Sequence, residues 1–431
     1  MTCRHRQFWR ILLLKRRCRS NPGGLIEQTV LTELYMSSLF EMKCRAFAAA
    51  RAGLLVLLAL AIAGCSLFGG DEDPFPPAEL ERFKSTLKVK RAWSRNIGGG
   101  TELLRLSLGP ASNGDLIVAA SHKGKVSAYS ADKGRQAWRV KTKLPLSGGA
   151  GVDSKYVAVG SIDGTLVLLS IEDGSEIWRR QMSGEILSAP ALTTGLVIVR
   201  TVDGRLTALS TEDGSEVWFI QQSMPRLSLR GSSAPIVIGG AVICGFDNGR
   251  LAAYDLSGGD TLWDVMLAPP SGRTEIERLI DLDSDAVVVG RDIYAVSFQG
   301  RLVSIAAEGG QILWAEDVSS YAGIAADSSS IYLSSERSEL VSYSNASGRE
   351  LWRSDTLLNR DITGPAKHGS SVVVGDFEGY LHWFDSLTGT LQARSKAGGD
   401  PVSTAPLVVG DMLYATTDGG RLVAYRIVRK K

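Results

Sequence analysis

The strongest constraint on the fold of this chain is a repeated phrase that ends in Trp. SIDGTLVLLSIEDGSEIW at residues 161–178 returns forty positions later as TVDGRLTALSTEDGSEVW at residues 201–218. The full series ends at Trp93, Trp138, Trp178, Trp218, Trp263, Trp314 and Trp352, and an eighth copy, TGTLQAR, has Ala393 in the Trp position. Successive Trp residues are 38 to 51 residues apart. Repeats of this length predict a propeller or a solenoid.

Each repeat has the pattern of short β-strands joined by tight turns. Segments such as GLVIVRT, RLTALST and SEVWFIQ are rich in β-branched and aliphatic residues and are bounded by VDG and EDG. Asp-Gly pairs are typical of hairpins because glycine accepts the positive φ that these turns need. We therefore predict four antiparallel strands per repeat, labelled A to D from the inside outward, with the Trp on strand D. Because so small a sheet buries its faces only against neighbours, the Trp is predicted to pack between blades.

The two ends of the repeat region complement each other. The last repeat, from Pro401 onward, supplies strands A to C without a Trp strand, and the first Trp strand, TLKVKRAWSRN, has no strands A to C before it. Joining them completes one more blade and leaves no sheet end unpaired in the ring. The prediction is an all-β, eight-bladed β-propeller of four-stranded antiparallel blades over residues 85–431, closed between its N- and C-terminal strands. Seven blades are the alternative.

The N-terminal region has the features of an exported lipoprotein. Residues 42–64 combine a basic start with an uncharged run of thirteen residues from Ala52 to Gly64, which is shorter than the about 20 residues of a membrane span and typical of a signal peptide. The following LAIAGC resembles the lipobox of bacterial lipoproteins, which makes Cys65 the lipid-bearing first residue, and Ser66 in place of Asp indicates the outer membrane. Met42 is the predicted start, and residues 1–41 are predicted to be a non-native upstream extension.

Removal of the first 64 residues changes the composition that bears on function. The remainder has 38 Lys plus Arg and 43 Asp plus Glu, a net charge of about five negative, so the composition does not favour a nucleic-acid partner. Beside the lipidated Cys65, only Cys244 is left, which excludes an intramolecular disulfide. Residues 65–84, with their Gly, Asp and Pro, are predicted to form a flexible tether that lets the folded body stand away from the bilayer.

Two long connections mark a candidate binding surface. The D-to-A connections exceed those of the 40-residue repeats by 5 residues after Trp218 and by 11 after Trp263. They belong to adjacent blades, emerge on one face, and are therefore expected to be neighbours; loops on a rigid scaffold often carry binding function. The residues concerned are Leu227, Leu229 and Arg230 in the first loop, and Arg273, Glu275, Glu277, Arg278, Asp281 and Asp283 in the second. An apolar pair with an Arg, facing carboxylates, resembles a protein-binding hot spot. Alternate Leu residues are equally expected in a strand that faces the core.

Four segments carry a family resemblance: LSLRGSSAP, FDNGRLAAY, SGRTEIERLIDLD and VVVGDFEGYLHW. They resemble the BamB family of lipoproteins, which belong to the complex that inserts β-barrels into the outer membrane, and the resemblance covers nearly all of residues 80–428. It implies an eight-bladed propeller without enzymatic activity or cofactor. It also implies docking, on the periplasmic side of the membrane, to the POTRA domains of the barrel subunit BamA. The contact residues implied are Leu227, Leu229, Arg230, Asp281 and Asp283.

Other functions remain as alternatives. The repeats also resemble those of quinoprotein dehydrogenases, which bind pyrroloquinoline quinone and Ca²⁺, but the mature sequence has no adjacent Cys pair, and its acidic residues recur at the hairpins instead of converging on one metal. His122, His368 and His382 lack metal-ligand spacing, and no metal or catalytic site is predicted. Trp383 could bind a sugar, although packing within a strand is the preferred interpretation. A third alternative is a scaffold that binds nascent outer-membrane proteins by adding their strands to its outer edges.

Overall fold

The structure, a computed structural model, is built from β-strands. It describes residues 75–99, 106–225, 227–228, 231–269, 273–274 and 280–428. Within these ranges 32 strands form eight sheets of four. The same residues contain no helix long and apolar enough to cross a membrane.

The first strand in the described part of the chain, β1 (Val89–Asn96), belongs to the blade that closes the ring. Blades 1 and 2 contain β2 (Ala111–Ser112), β3 (Leu116–Ala120), β4 (Lys125–Ser130), β5 (Gln136–Lys141), β6 (Gly151–Val152), β7 (Tyr156–Gly160), β8 (Thr165–Ser170) and β9 (Glu176–Gln181). Blades 3 and 4 contain β10 (Ala191–Thr193), β11 (Leu196–Arg200), β12 (Arg205–Ser210), β13 (Glu216–Gln221), β14 (Ile236–Ile238), β15 (Ala241–Gly245), β16 (Arg250–Asp255) and β17 (Thr261–Met266).

The second half of the ring continues the pattern. Blades 5 and 6 contain β18 (Val287–Val289), β19 (Asp292–Val296), β20 (Arg301–Ala306), β21 (Ile312–Asp317), β22 (Ile324–Ala326), β23 (Ser330–Ser334), β24 (Leu340–Ser344) and β25 (Glu350–Ser354). Blades 7 and 8 contain β26 (Ala366–His368), β27 (Ser371–Gly375), β28 (Tyr380–Asp385), β29 (Leu391–Lys396), β30 (Leu407–Val409), β31 (Met412–Thr416) and β32 (Arg421–Ile427).

Within each blade, neighbouring strands are antiparallel. Blades 1 to 7 use consecutive strands, whereas the eighth sheet has the order β30-β31-β32-β1. Its outer strand comes from the N-terminal end of the ring, because Val89 pairs with Ile427 and Asn96 pairs with Arg421. The predictions of eight blades and of closure between the two ends of the ring are confirmed.

The apolar core lies largely between blades. One cluster, for example, contains Ile243 of blade 4 and Ile293 of blade 5. The strand-D Trp residues pack as predicted: Trp138 is buried, and its Nε1 donates a hydrogen bond of 2.7 Å to the carbonyl of Ile171 in the next blade. The same indole lies against Gly174, where φ is 75° and an added Cβ would lie 2.6 Å from the ring. Glycine is therefore needed in this EDG turn for the backbone conformation and for the contact.

Ala393 replaces the eighth Trp for a geometric reason. The same indole-to-carbonyl contact is made by Trp93, Trp178, Trp218, Trp263, Trp314 and Trp352. Each of these rings packs on the C-to-D turn of the following blade, but blade 8 has no such turn because its strands C and D are the two ends of the ring. At this junction Ala393 is buried, and Trp383 of strand C packs 5.6 Å from the ring of Tyr425. The missing Trp thus marks the closure point.

The connections divide between two faces of the ring. Strands A and C run in one direction and strands B and D in the other. The D-to-A and B-to-C connections therefore share one face, which we call the D–A face. The A-to-B and C-to-D turns share the opposite face, the C–D face.

The segment before β1 lies beside the ring. Sequence analysis placed residues 65–84 in the tether, whereas the compact unit of the structure begins at Phe75. Residues 75–88 contain no regular secondary structure, but several of them are hydrogen-bonded to blade 7 and to the connection that precedes it. The described part of the N-terminal segment is therefore associated with the propeller.

Candidate partner-docking site

The two long connections contact each other at their bases on the D–A face. They are residues 222–235, between β13 and β14, and residues 267–286, between β17 and β18. The N–H of Ala234 donates a 2.6 Å hydrogen bond to Oδ1 of Asp285. A Cβ built on Gly231 would overlap the carboxyl group of Asp283, so glycine permits this close approach. The two loops are neighbours, as the order of the blades predicts.

The structure describes only some of the predicted contact residues. Leu227 is 43% exposed, and Arg273 of the second loop is also exposed. The residues Leu229, Arg230, Glu275, Glu277 and Arg278 lie outside the described residues. Leu227 and Arg273 are therefore the predicted side chains that the structure places at the surface of these loops.

The predicted carboxylates lie beneath that surface. Asp281 is 1% exposed, and its backbone carbonyl accepts a 3.0 Å hydrogen bond from the N–H of Phe298 in the B-to-C turn of blade 5. Oδ1 of Asp283 is buried and has no hydrogen-bond partner among the described residues. Asp281 and the Oδ1 atom of Asp283 are thus buried within the second loop.

A buried ion pair lies under the first loop. Arg200, the last residue of β11, is 1% exposed, and its Nη2 donates to Oδ1 of Asp247, which follows β15. Its Nη1 reaches Oγ of Ser233 at 3.5 Å, and its guanidinium lies 5.3 Å from the ring centroid of Phe246. One cation therefore connects blade 3, blade 4 and the base of the first loop.

Sequence reasoning missed Arg200, although its position carries a signal. The residue ends strand B of its blade, and the other seven blades have uncharged residues at the matching position. These are Ala120, Gly160, Gly245, Val296, Ser334, Gly375 and Thr416. Because a charged side chain rarely occupies a buried position without a partner, a strand-by-strand comparison of the repeats would have singled it out.

Asp283 belongs to the same electrostatic environment. Burial raises the pKa of Asp283 to about 7, the charge of Asp247 adds to the rise, and Arg200 opposes it. For Arg200 itself, burial is the largest single effect and disfavours the charged form, but the attraction and hydrogen bond of Asp247 together with the other nearby acidic groups outweigh burial and raise the pKa. Arg200 is therefore charged at neutral pH, whereas Asp283 changes its protonation there.

We expect the free energy of unfolding to fall as pH rises toward neutral, and this part of the pH dependence to be absent in Asp283→Asn. The pKa of Asp283 is about 7 in the folded protein and about 3.9 in an unfolded chain. Between these values only the folded state holds the proton, so the stabilisation is complete below the lower pKa and is lost as pH rises through the higher one. Urea unfolding midpoints measured from pH 5 to pH 8 test this. Asp260→Asn, at an exposed turn position, is the control; equal profiles for wild type and Asp283→Asn would contradict the prediction.

The histidines named in the sequence analysis make hydrogen bonds within the ring. Nδ1 of His122 lies 2.9 Å from a backbone carbonyl, and Nε1 of Trp383 donates to Nδ1 of His368 at 3.1 Å. His382 is buried, 3.0 Å from a carboxylate oxygen of Asp376. Trp383 is itself fully buried, so its ring is not accessible to a sugar. In the described part of the chain, no group of three or more His, Cys, Asp or Glu residues could hold a metal ion.

Together these features define a class of protein: an eight-bladed β-propeller with two enlarged, adjacent loops on one face and a buried ion pair beneath them. Comparison with known families narrows the class. The family model described as "Outer membrane protein assembly factor BamB" matches residues 122–354 and 336–429. The chain belongs to the BamB family of outer-membrane protein assembly factors.

Relatives and solved structures agree with this assignment. BamB of Pseudomonas aeruginosa is 44% identical over 373 residues, which cover 86% of this chain and 98% of the relative. BamB of Escherichia coli K12 is 34% identical over 379 residues, covering 85% of this chain and 96% of the relative. The crystal structure of BamB from Moraxella catarrhalis superposes with a TM-score of 0.72 at 25% identity, over 79% of this chain and 100% of that one.

A quinoprotein enzyme shares the fold at much lower sequence identity. The quinohemoprotein alcohol dehydrogenase ADHIIG of Pseudomonas putida gives a TM-score of 0.64 at 12% identity, over 80% of this chain and 77% of that one. At this identity the likeness extends to the fold alone. The relatives over the full propeller are named as assembly factors, which favours the assembly function over the enzyme.

Proposed function

We propose that this protein is a non-enzymatic scaffold lipoprotein of the outer-membrane β-barrel assembly complex, and that it docks on the POTRA domains of BamA. Membership of the BamB family supports the role in assembly. The observation that carries the docking site is the contact between the two enlarged loops, made by Ala234 with Asp285 and by Gly231 with Asp283. Because the bases of the two long loops are fixed to each other, less conformational entropy is lost when the loops bind a partner.

In this proposal some of the predicted residues contact the partner, and others hold the loops in place from below. Leu227, which is 43% exposed, and Leu229 bury apolar area at the centre of the contact, and Arg230 makes charge-assisted hydrogen bonds to the partner. Asp281 and Asp283 act from beneath, by holding the second loop in the conformation that the partner recognises. The burial of Asp281 and of Oδ1 of Asp283 supports this indirect role.

Because the proposed docking site places Leu229 and Arg230 in contact with the partner, we expect Arg230→Ala and Leu229→Ala to release the partner without unfolding the ring. We expect each substitution to cost about 2 kcal/mol or more of binding free energy if these residues are hot spots. The measurement is a pull-down from detergent-solubilised outer membranes, with the retained proteins identified by mass spectrometry. Wild type should recover a barrel protein that carries POTRA domains, and both variants should lose it.

Matched controls come from the opposite face of the ring. Arg349 and Leu387 are exposed in C-to-D turns of blades 6 and 7, so Arg349→Ala and Leu387→Ala should recover the partner as well as wild type does. Circular dichroism spectra and thermal unfolding of all four variants establish that the ring is folded. Unchanged recovery by a folded Leu229→Ala, Arg230→Ala double variant would refute the docking site.

A second candidate function is direct capture of nascent outer-membrane proteins. It is favoured by apolar residues that precede the Trp of strand D and are 41% to 53% exposed in five consecutive blades. These are Ile177, Val217, Leu262, Leu313 and Leu351. An outer strand with such residues can accept an added strand. The same pull-down separates the two functions, because precursor capture at the rim would survive Arg230→Ala.

We also propose that Cys65 carries the lipid that anchors the protein to the outer membrane, facing the periplasm. Cys65→Ala should then leave a soluble periplasmic protein, because one acylated residue supplies the apolar area that holds the chain in the bilayer. Fractionation of cells that lack the partner tests this, since docking cannot then retain the variant. Recovery of Cys65→Ala in the membrane fraction of such cells would contradict lipid anchoring, and Cys244→Ala, which changes the buried thiol, is the control.

A further inference from the structure

The N-terminal segment is held on the D–A face by the connection that precedes blade 7. We call residues 76–86 the strap. The N–H of Ala78 donates a 2.9 Å hydrogen bond to the carbonyl of Leu358. Nδ2 of Asn359 donates to the carbonyl of Pro76 at 3.2 Å, and Nη1 of Arg360 donates to the carbonyl of Ala78 at 2.9 Å. Three hydrogen bonds within three residues of the strap therefore fix its first part.

The residues that bind this part of the strap are themselves held firmly in place by their neighbours. Arg360 is 3% exposed and forms a buried ion pair with Asp376 at 2.8 Å, with a further contact to Glu378. Its neighbours Asn359 and Asp361 have φ angles of 57° and 48°, a conformation that costs free energy in residues other than glycine. Strained backbone on both sides of a buried arginine indicates that the surrounding structure holds this loop in one conformation.

The middle of the strap lies on blade 7. Leu80 packs against an apolar cluster that includes Leu357 and Phe384. Nη1 of Arg394 donates to the carbonyl of Glu81 at 3.1 Å, and the same guanidinium lies 5.3 Å from the ring centroid of Phe83. These contacts combine apolar burial, a hydrogen bond and a cation–π interaction.

The buried network behind the strap holds Arg394 in place. Burial lowers the pKa of His382, so its ring is neutral near pH 7. A neutral ring can donate from Nε2 to Asp376 at 3.0 Å while Nδ1 accepts from Nε of Arg394 at 3.3 Å. Asp376 also accepts from Arg360, so the two arginines that bind the strap share one carboxylate through a single connected network.

The end of the strap reaches the opposite face of the ring. The N–H groups of Thr86 and Leu87 donate to the carbonyl of Gln392, at 3.0 and 3.3 Å, and Oγ of Ser85 donates to the same oxygen at 2.9 Å. Gln392 lies at the start of β29, near the C–D face, whereas Leu358 lies on the D–A face. The strap thus runs from one face to the other along blade 7, and β1 then returns in the opposite direction.

The path of the strap determines the face from which the N-terminal segment leaves the propeller. Strand β1 begins at Val89, paired with Ile427 at the C–D face, so a chain without a strap would leave from that face. The eight residues of β1 span roughly 25 Å at about 3.3 Å each. The strap crosses a similar distance in reverse and brings Pro76 to the D–A face, where the two enlarged loops also lie.

We propose that blade 7 and the connection before it form a receptor for the chain's own residues 76–86, and that this receptor sets which face of the propeller is turned toward the bilayer. The orientation rests on the proposed lipid at Cys65. Nine residues lie between Cys65 and Phe75, and the ten residue-to-residue steps, at about 3.5 Å each, reach at most roughly 35 Å. Because the chain leaves the strap at the D–A face, the shortest path to the bilayer turns this face, with its docking loops, toward the membrane.

Amide hydrogen exchange of the full-length protein tests the receptor without reference to the membrane. In wild type, the peptide that covers residues 75–88 is expected to be protected, because the N–H groups of Ala78, Thr86 and Leu87 are hydrogen-bonded. Leu80→Ser with Phe83→Ser, and separately Arg394→Gln, should lose this protection while the strands keep theirs. Glu79→Gln, at an exposed strap position, should match wild type. Protection that survives in both variants, or that is absent in wild type, overturns the receptor.

Lipidated protein in phospholipid vesicles that contain a quencher lipid tests the orientation. Fluorophores are attached after Lys123→Cys, in the B-to-C turn of blade 1, or Lys133→Cys, in the C-to-D turn of the same blade. Burial raises the pKa of the Cys244 thiol to about 12, so that residue does not compete for the label. The Lys123→Cys probe should be quenched more than the Lys133→Cys probe, and Leu80→Ser with Phe83→Ser should abolish the difference.

The outcomes of these two experiments test the receptor for the strap and the proposed lipid anchor separately. Equal quenching at the two positions in wild type overturns the orientation. If the protein carries no lipid by mass spectrometry and does not bind vesicles, the lipid anchor of the proposed function is wrong and the orientation falls with it. Protection of residues 75–88 would still decide whether the receptor exists.

Discussion

Arg200→Met is expected to lower the free energy of unfolding by about 3–5 kcal/mol, since removing one partner leaves the other charge buried and uncompensated. Asp247, the partner of Arg200, is 4% exposed, and the side chain of Arg200 is fully buried. Asp283 loses the same nearby cation. The substitution should therefore also loosen the base of the first loop, where Arg200 reaches Ser233.

Denaturation in urea, followed by Trp fluorescence, measures this effect. Arg179→Met is the matched control, because the ion pair of Arg179 with Glu176 has side chains 45% and 38% exposed, and exposed pairs contribute at most about 1 kcal/mol. The double variant Arg200→Met, Asp247→Leu should be more stable than the sum of the two single effects predicts. A loss of stability in Arg200→Met no greater than in Arg179→Met would show that the buried pair is not needed for the ring.

Trp178→Ala is expected to cost about 3–5 kcal/mol, the usual range for truncating a large buried aromatic side chain. Trp178 is 8% exposed, its Nε1 donates a 3.0 Å hydrogen bond to the carbonyl of Thr211, and its ring covers Gly214 of the next blade. Removal of the indole leaves a cavity between blades 2 and 3 and an acceptor without its donor. The unfolding midpoint in urea should fall accordingly.

A substitution of Ala393, at the closure point of the ring, provides a contrast to Trp178→Ala. Ala393→Trp restores the Trp of the repeat, but Ala393 is 1% exposed and the next blade has no C-to-D turn for an indole to cover. We therefore expect this substitution to destabilise the ring by about 1–3 kcal/mol through overpacking. Stabilisation by Ala393→Trp, or an unchanged midpoint for Trp178→Ala, would show that the Trp residues do not act by covering the following blade.

The sequence determined the architecture of the ring. The Trp period, the Asp-Gly turns and the incomplete first and last repeats predicted eight four-stranded blades closed by β1, because strand length, turn chemistry and repeat number are local properties of the chain. The same period located the two enlarged loops, since any excess length in a regular repeat must lie in a connection. Family segments such as LSLRGSSAP supplied the candidate contact residues around Leu227.

Only the tertiary structure decided which charges are buried and where the N-terminus leaves. Arg200 and Asp247 are 47 residues apart in sequence and meet because adjacent blades bring the ends of their strands B together. Asp281 is in a polar, loop-like stretch, yet it is buried by its neighbours. The strap meets Arg360, more than 280 residues later, because ring closure places the N-terminal segment beside blade 7. The burial and partners of a side chain depend on packing between distant segments, which the local pattern of the sequence does not encode.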